Sequence, residues 1–278
     1  IMDSIIVEGG VPLSGEICIS GAKNAALPIL AATLLTDETV ELSNVPGLSD
    51  IDTLVELLRS LGAEIEYDKN LSKLYVCAKN IHNFKAHYDL VKKMRASILV
   101  LGPLTARFKK ASVSMPGGCA IGVRPVDFHI AGLKLLGAQV EILDGYINTS
   151  LSKSLIGTEI TFPKVSVTGT ENILMAAVLA EGTTKIFNAA SEPEIVDLAE
   201  MLISMGANIS GHGTNEITVN GVSKLHGTKH TIISDRIELG TYILTVAMTN
   251  GNAKIYGKNI YNLIKNIKDR KFEINSIF

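Results

Sequence analysis

Leu58-Arg-Ser-Leu-Gly-Ala-Glu-Ile65, Leu133-Lys-Leu-Leu-Gly-Ala-Gln-Val140 and Leu202-Ile-Ser-Met-Gly-Ala-Asn-Ile209 are three versions of one phrase, and their glycines lie 75 and 69 residues apart. Each phrase closes a run with helical apolar spacing, such as Leu54, Leu57, Leu58 and Leu61, and opens an alternating stretch such as 63–67. A glycine just past the last helical turn is a stop signal, so the phrase predicts helix, cap, strand.

A second phrase lies upstream of two of these. Ser20-Gly-Ala-Lys-Asn-Ala-Ala-Leu-Pro-Ile29 resembles Thr168-Gly-Thr-Glu-Asn-Ile-Leu-Met-Ala-Ala177, and each starts an apolar helix followed by a polar turn and a strand, at 39–42 and 183–187. The predicted unit is strand, helix, strand, helix, strand, strand, about 70 residues long, in three complete copies and part of a fourth. The fold class is therefore α/β. One unit cannot bury both of its helices alone, so the copies are expected to pack around shared helices. The fourth copy begins near residue 233 and lacks the helix-end Gly-Ala, and segment 234–278 is expected to be loosely held or to leave an apolar face exposed.

Composition narrows the function. The chain has 278 residues, 46% of them hydrophobic and 19% charged, which fits a globular protein with one large core or two smaller ones. A formal charge of −2 and a pI near 6.3 give no general electrostatic reason to bind nucleic acid or an anionic membrane surface, so anion binding must be local. The apolar runs at 25–35 and 98–106 are too short or contain proline, and no signal segment opens the chain, so we expect a cytosolic protein without a membrane partner. Cys18, Cys77 and Cys119 lie far apart, without zinc or disulfide spacing. The histidines show no metal-ligand spacing either, and neither a metal nor a cofactor is expected.

The local chemistry gathers at Met115-Pro-Gly-Gly-Cys-Ala-Ile-Gly-Val-Arg-Pro-Val-Asp-Phe-His129. Glycines let bare backbone approach a ligand, Pro125 suits a first helical position, and the N–H groups of that helix start face an arriving anion. Cys119 reads either as a small hydrophobe in a turn or as a reactive thiol near Arg124. His129 reads as structural or capping rather than as a base. Lys23 stands at a helix start, where the macrodipole disfavours a cation, whereas the matching copy has Glu171 there. Asn24 is a good helix cap. Arg95 interrupts the apolar run 94–101 and needs an anion, either an internal carboxylate or a ligand phosphate. Lys164 and Ser166 alternate on one side of a predicted strand end, where a solvent-facing edge is the plain reading.

The residues of 20–29, Met94-Arg-Ala-Ser97, 116–127 and Asp235-Arg-Ile-Glu238 together resemble the bacterial UDP-N-acetylglucosamine 1-carboxyvinyltransferases, from Met2 to about Tyr256. The shikimate-pathway enolpyruvyl transferases share the fold but lack the cysteine loop. The resemblance implies inside-out α/β barrels of βαβαββ units, with residues 22–233 as a three-repeat domain and 1–21 plus 234–278 as an incomplete second domain. It implies two small-molecule partners, phosphoenolpyruvate and UDP-N-acetylglucosamine, with the enolpyruvyl group passing to the sugar 3-hydroxyl and phosphate leaving, the first committed step of peptidoglycan synthesis, without a metal.

The resemblance also assigns roles. Lys23 and Arg124 would hold the phosphate and carboxylate of phosphoenolpyruvate, and Cys119 would protonate the vinyl carbon or form an adduct; it matches the target of fosfomycin. Asn24 would touch the sugar or the tetrahedral intermediate. Arg95, Arg124, Pro125, Val126, Asp127, Phe128, Lys164, Val165, Ser166 and Val167 would embrace the nucleotide sugar. A family lysine after Pro46 is replaced by Ser49. The chain is also expected to be short of the family by a C-terminal segment that carries the general base, which leaves a non-catalytic nucleotide-sugar binder as the alternative.

Overall fold

The computed structural model describes residues 4–92, 94–115 and 126–260, with the backbone alone at residue 95. Gly62, Gly137 and Gly206 adopt φ of +110°, +97° and +100°, a region that L side chains enter at a cost. Each glycine N–H bonds the carbonyl three residues back, at Arg59, Lys134 and Ile203. The alanine that follows reaches five back, to Leu58, Leu133 and Leu202. The same double cap thus ends a helix three times, which accounts for the recurring phrase.

The first unit runs β1 (Ser14–Cys18), α1 (Lys23–Ala32), β2 (Thr39–Ser43), α2 (Ser49–Leu61), β3 (Glu64–Asp68) and β4 (Lys73–Cys77). The second has β5 (Lys85–Ala86), a short α3 (Tyr88–Val91), a 3-10 stretch Arg95–Val100 leading into α4 (Leu101–Phe108), β6 (Lys110–Ser114), α5 (Asp127–Leu135), β7 (Gln139–Leu143) and β8 (Tyr146–Ser150). The third has β9 (Glu159–Thr161), α6 (Val167–Ala177), β10 (Thr183–Phe187), α7 (Pro193–Ser204), β11 (Asn208–Ser210) and β12 (Glu216–Asn220). β13 (Lys229–Thr231), α8 (Arg236–Met248) and β14 (Asn252–Tyr256) belong to the fourth. This is the predicted βαβαββ order.

The second and third units form four-stranded sheets of like topology, β5-β6-β8-β7 and β9-β10-β12-β11, with the first pair parallel and the others antiparallel. The sheet of the first unit is β13-β2-β4-β3, so β13 stands where β5 and β9 stand in theirs. β1 instead pairs in parallel with β14, from Ser14↔Asn252 to Cys18↔Tyr256. The first strands of units one and four have exchanged sheets.

Burial follows the sequence pattern. α1 is buried from Ala25 to Ala32, Pro28 included, as befits a helix that is apolar all round. α2 buries one stripe, Ile51, Leu54, Val55, Leu57, Leu58 and Leu61. Strands such as β2 alternate, with Val40 and Leu42 inside. Within 22–232 the helices therefore hold most of the core, and each sheet turns one face to them and one to water.

Arg107 fastens the first unit to the second. Its Nη1 donates to the carbonyls of Leu34, Thr36 and Ala78, at 2.8, 2.7 and 2.9 Å. Arg107→Leu leaves these acceptors unmet, and we expect a loss of about 2 kcal/mol, read as a lower urea midpoint at unchanged m-value.

The chain divides into two compact units, Ala22–Ile232 and the pair Ile1–Gly21 with Ile233–Phe278. The smaller has a modest core of Ile19, Leu239, Ile243, Ile255 and Ile260. Asp235 caps α8, accepting from the N–H groups of Ile237 and Glu238. Ile237, Leu244 and Met248 of α8 are exposed, while residues 261–278, on which the rest of that expectation falls, lie outside the described residues.

Candidate functional site

α1 and α6 begin with the same phrase and use it in opposite ways. In α6, Glu171 and Asn172 are buried. Asn172 Oδ1 accepts from the N–H of Gly102 at 2.6 Å, while Nδ2 donates to the carbonyl of Ile98 at 3.0 Å and to His129 Nδ1 at 2.8 Å. In α1 the matching Lys23 is partly exposed and Asn24 is exposed. One pair locks helices together and the other faces solvent.

Asn24 is not the helix cap that its residue type predicts. The N-cap of α1 is Ala22, which offers no side-chain bond, and its carbonyl already takes the N–H groups of Ala25 and Ala26. The N–H groups of Lys23 and Asn24 thus point out of an uncapped helix end, an anion-seeking arrangement. Pro28 brings no N–H to the carbonyl of Asn24, so the exposed residue keeps an acceptor as well. Lys23 Nζ lies 3.0 Å from Asp50 Oδ2, an acid in the first turn of α2. That carboxylate offsets the unfavourable dipole at the lysine. The sequence reading did not include Asp50; an acid opening a helix is too common to stand out.

A second group forms where α5 meets α6. His129, in the first turn of α5, is buried, and burial pulls its pKa down to about 4. Gly102 fixes the Asn172 amide with Nδ2 toward His129, so His129 Nδ1 accepts and Nε2–H faces Thr168 Oγ1 at 3.4 Å. The Phe128 and Phe162 rings meet edge to face, with centroids 6.1 Å apart. These contacts join Phe128 and His129 of α5 to Phe162, Thr168 and Asn172, which flank or follow 164–167 in the chain. The histidine is the neutral strut that its position suggested.

Lys164 and Ser166 do not edge a strand. β9 ends at Thr161, Lys164 lies exposed in a turn, and Ser166 caps α6, its hydroxyl accepting from the N–H of Gly169 at 3.1 Å. A Cβ on Gly169 would come within 2.8 Å of that hydroxyl, which favours glycine there. Ser49, which stands where the family has a lysine, is exposed. Among the described residues, no hydrogen bond or ion pair joins Lys23 or Asn24 to the α5–α6 group. Cys119, Arg124, Pro125 and the Arg95 side chain lie outside the described residues. Among those described, no cluster of three or more His, Cys, Asp or Glu residues suits a metal, and no helix is long and apolar enough to cross a membrane.

Residues 7–269 match the family described as EPSP synthase (3-phosphoshikimate 1-carboxyvinyltransferase). UDP-N-acetylglucosamine 1-carboxyvinyltransferase of Coxiella burnetii is 57% identical over 254 residues, which are 91% of this chain and 58% of that protein. The proteins of that name from Dinoroseobacter shibae and Rickettsia rickettsii are 56% and 54% identical, over 92% and 96% of this chain and 61% and 64% of theirs. The chain thus spans somewhat less than two thirds of the length of these relatives. Among solved structures, the enolpyruvyl transferase NikO of Streptomyces tendae superposes with a TM-score of 0.74 at 23% identity, covering 84% of this chain and 55% of that one. EPSP synthase of Acinetobacter baumannii gives 0.68 at 21%, over 82% and 52%. These two likenesses concern the fold alone.

Proposed function

The chain belongs to the EPSP synthase (3-phosphoshikimate 1-carboxyvinyltransferase) family, and from that membership we propose that it serves enolpyruvyl transfer from phosphoenolpyruvate to the 3-hydroxyl of UDP-N-acetylglucosamine, in the cytoplasm, at the entry to peptidoglycan synthesis. The observation that carries this reading is the contrast between the two like phrases. α6 spends its Glu-Asn pair on packing, whereas α1 presents Lys23 and Asn24 to solvent at an uncapped helix start. Identities of 54–57% to proteins named for the nucleotide sugar favour that acceptor over 3-phosphoshikimate.

In the proposed reaction, the sugar 3-hydroxyl oxygen bonds to C2 of phosphoenolpyruvate as its proton passes to a base in the further segment that the relatives carry, and the C2–C3 π pair takes a proton from Cys119 to make C3 a methyl group. The tetrahedral intermediate then expels phosphate as C3 gives a proton back and the double bond returns. Lys23, with Arg124, holds the anionic phosphate and carboxylate. The exposed N–H groups of Lys23 and Asn24 add donors where charge concentrates. Arg95, Pro125 and the α5–α6 group, residues 126–128 and 164–167, cradle the nucleotide sugar. The curated relatives extend beyond the matched region, and turnover is proposed to draw on that further segment.

Two readouts test this on the chain. Calorimetric titration is expected to show binding of UDP-N-acetylglucosamine and none of 3-phosphoshikimate; the reverse preference overturns the acceptor assignment. Fosfomycin is expected to add one molecule by mass to the wild type and none to Cys119→Ala. Lys23→Ala should weaken phosphoenolpyruvate binding about tenfold, the value of one charge-assisted contact. Nucleotide-sugar binding without phosphate release, on addition of phosphoenolpyruvate, identifies the non-catalytic binder.

A further inference from the structure

The three outer sheet faces can be compared row by row, because their strands share one register. In β13-β2-β4-β3 the central row reads Lys229, Glu41, Tyr75, Glu66. Its carboxylate is well held: Glu41 lies 2.8 Å from Lys229 and 3.6 Å from Lys73. The bond from Lys229 lowers the Glu41 pKa. In β9-β10-β12-β11 the row reads Glu159, Lys185, Thr218, Ser210, again with an acid beside the base.

The row in β5-β6-β8-β7 reads Lys85, Ser112, Asn148, Glu141. Lys85 takes the place of Lys229, and Ser112 takes the place of Glu41. Lys110, two residues before Ser112 on the same strand face, brings a second ammonium. Each lysine is steadied by a ring: Lys85 Nζ lies 4.3 Å from the Tyr146 centroid and Lys110 Nζ 4.4 Å from that of Phe84. Among the described residues neither lysine is paired with a carboxylate, whereas Lys229 and Lys73 of the first sheet both face Glu41. Glu141 closes the row beyond Asn148 and faces solvent. A shallow, open cleft of about 320 Å³ lies on this face, lined among others by Asn83, Lys85, Lys110, Ser112 and Asn148.

We propose that this cleft binds a small oxyanion of the phosphate class, which occupies the place that the Glu41 carboxylate fills in the first sheet. Two ammonium groups balance a dianion. The Ser112 hydroxyl and Asn148 amide supply uncharged donors, and the serine leaves the room that a glutamate would close. The site lies on the outer face of a sheet, apart from Lys23 and the α5–α6 group, and stands independently of the proposed reaction.

The test is an amide-resolved NMR titration of the full chain with inorganic phosphate and with methyl phosphate. Shifts are expected at Lys85, Ser112 and Asn148, with a dissociation constant on the order of 1 mM. Ser112→Glu restores the built-in anion of the first sheet and should abolish those shifts while leaving UDP-N-acetylglucosamine binding unchanged. Lys85→Gln with Lys110→Gln should weaken phosphate at least about tenfold, and covers the case in which Ser112→Glu fails to fold. Phosphate bound only near Lys23, or shifts that survive both variants and scatter over surface lysines, would mark an adventitious ion only and overturn the proposal.

Discussion

Asn172→Leu is expected to lower the stability of the 22–232 unit by about 4 kcal/mol, and its melting temperature by about 10 °C. The replacement is close in volume and apolar, so the cost is polar. The Gly102 N–H, the Ile98 carbonyl and His129 Nδ1 each lose their partner in a buried place. Gly102 has no room to compensate by shifting, because an added Cβ there would already lie 2.4 Å from the Asn172 backbone oxygen. Asn24→Leu makes the control. It alters the same residue of the same phrase at an exposed position, and we expect a change within about 0.5 kcal/mol. Thermal melts of the two variants check the contrast; equal losses would mean that Asn24 is also a structural residue.

That contrast shows where the sequence was readable and where it was not. The helix stops at Gly62, Gly137 and Gly206 were legible because a positive φ is a local demand that few residues meet, and three occurrences fixed the period of the fold. The alternation of Val40 and Leu42 with polar neighbours was legible for the same local reason. The roles of Asn24 and Asn172 were not, because identical local text is read by different surroundings. Asn172 meets Gly102, which is 70 residues away in sequence. Ser166 was misplaced on a strand because a serine suits both a polar edge and an N-cap, and only its bond to the Gly169 N–H decides. The crossing of β1 to the chain end came only with the family resemblance, which groups 1–21 with 234–278, and not from spacing; the seat of β13 in the first sheet escaped. A parallel partner leaves no mark in a three-residue strand such as Lys229–Thr231.

The candidate site divides along the same line. Lys23 drew attention because a cation at a helix start contradicts the dipole, and the structure supplies the answering carboxylate, Asp50. Such a local conflict is visible in one dimension. The meeting of Phe128 with Phe162 and of His129 with Thr168 joins two repeats, and nothing in the spacing announces it. What stabilises this arrangement is therefore the packing of inner helices, and the buried acid among them should govern its response to pH.

Glu171 is that acid. It is fully enclosed, and burial, with the nearby Glu194 and Glu192 adding to it, raises its pKa to about 8. At neutral pH the folded protein therefore carries a proton on Glu171 that the unfolded chain, titrating near 4.5, has released. Where the native state binds more protons than the unfolded one, stability falls as pH rises. The window runs from about 4.5 to about 8, with a slope of roughly 1.4 kcal/mol per pH unit at full effect. Glu171→Gln keeps the shape and never ionises. Its stability relative to the wild type should therefore climb through this window, reach a few kcal/mol, and level off above it. The measurement is the urea midpoint of both proteins at intervals from pH 5 to 9, in which the titrations common to both cancel in the difference. A difference that stays flat across the window would mean that Glu171 is ionised in the fold and held by a cation. In that case the third unit would have its own charge pair at the position where the first has Lys23 and Asp50.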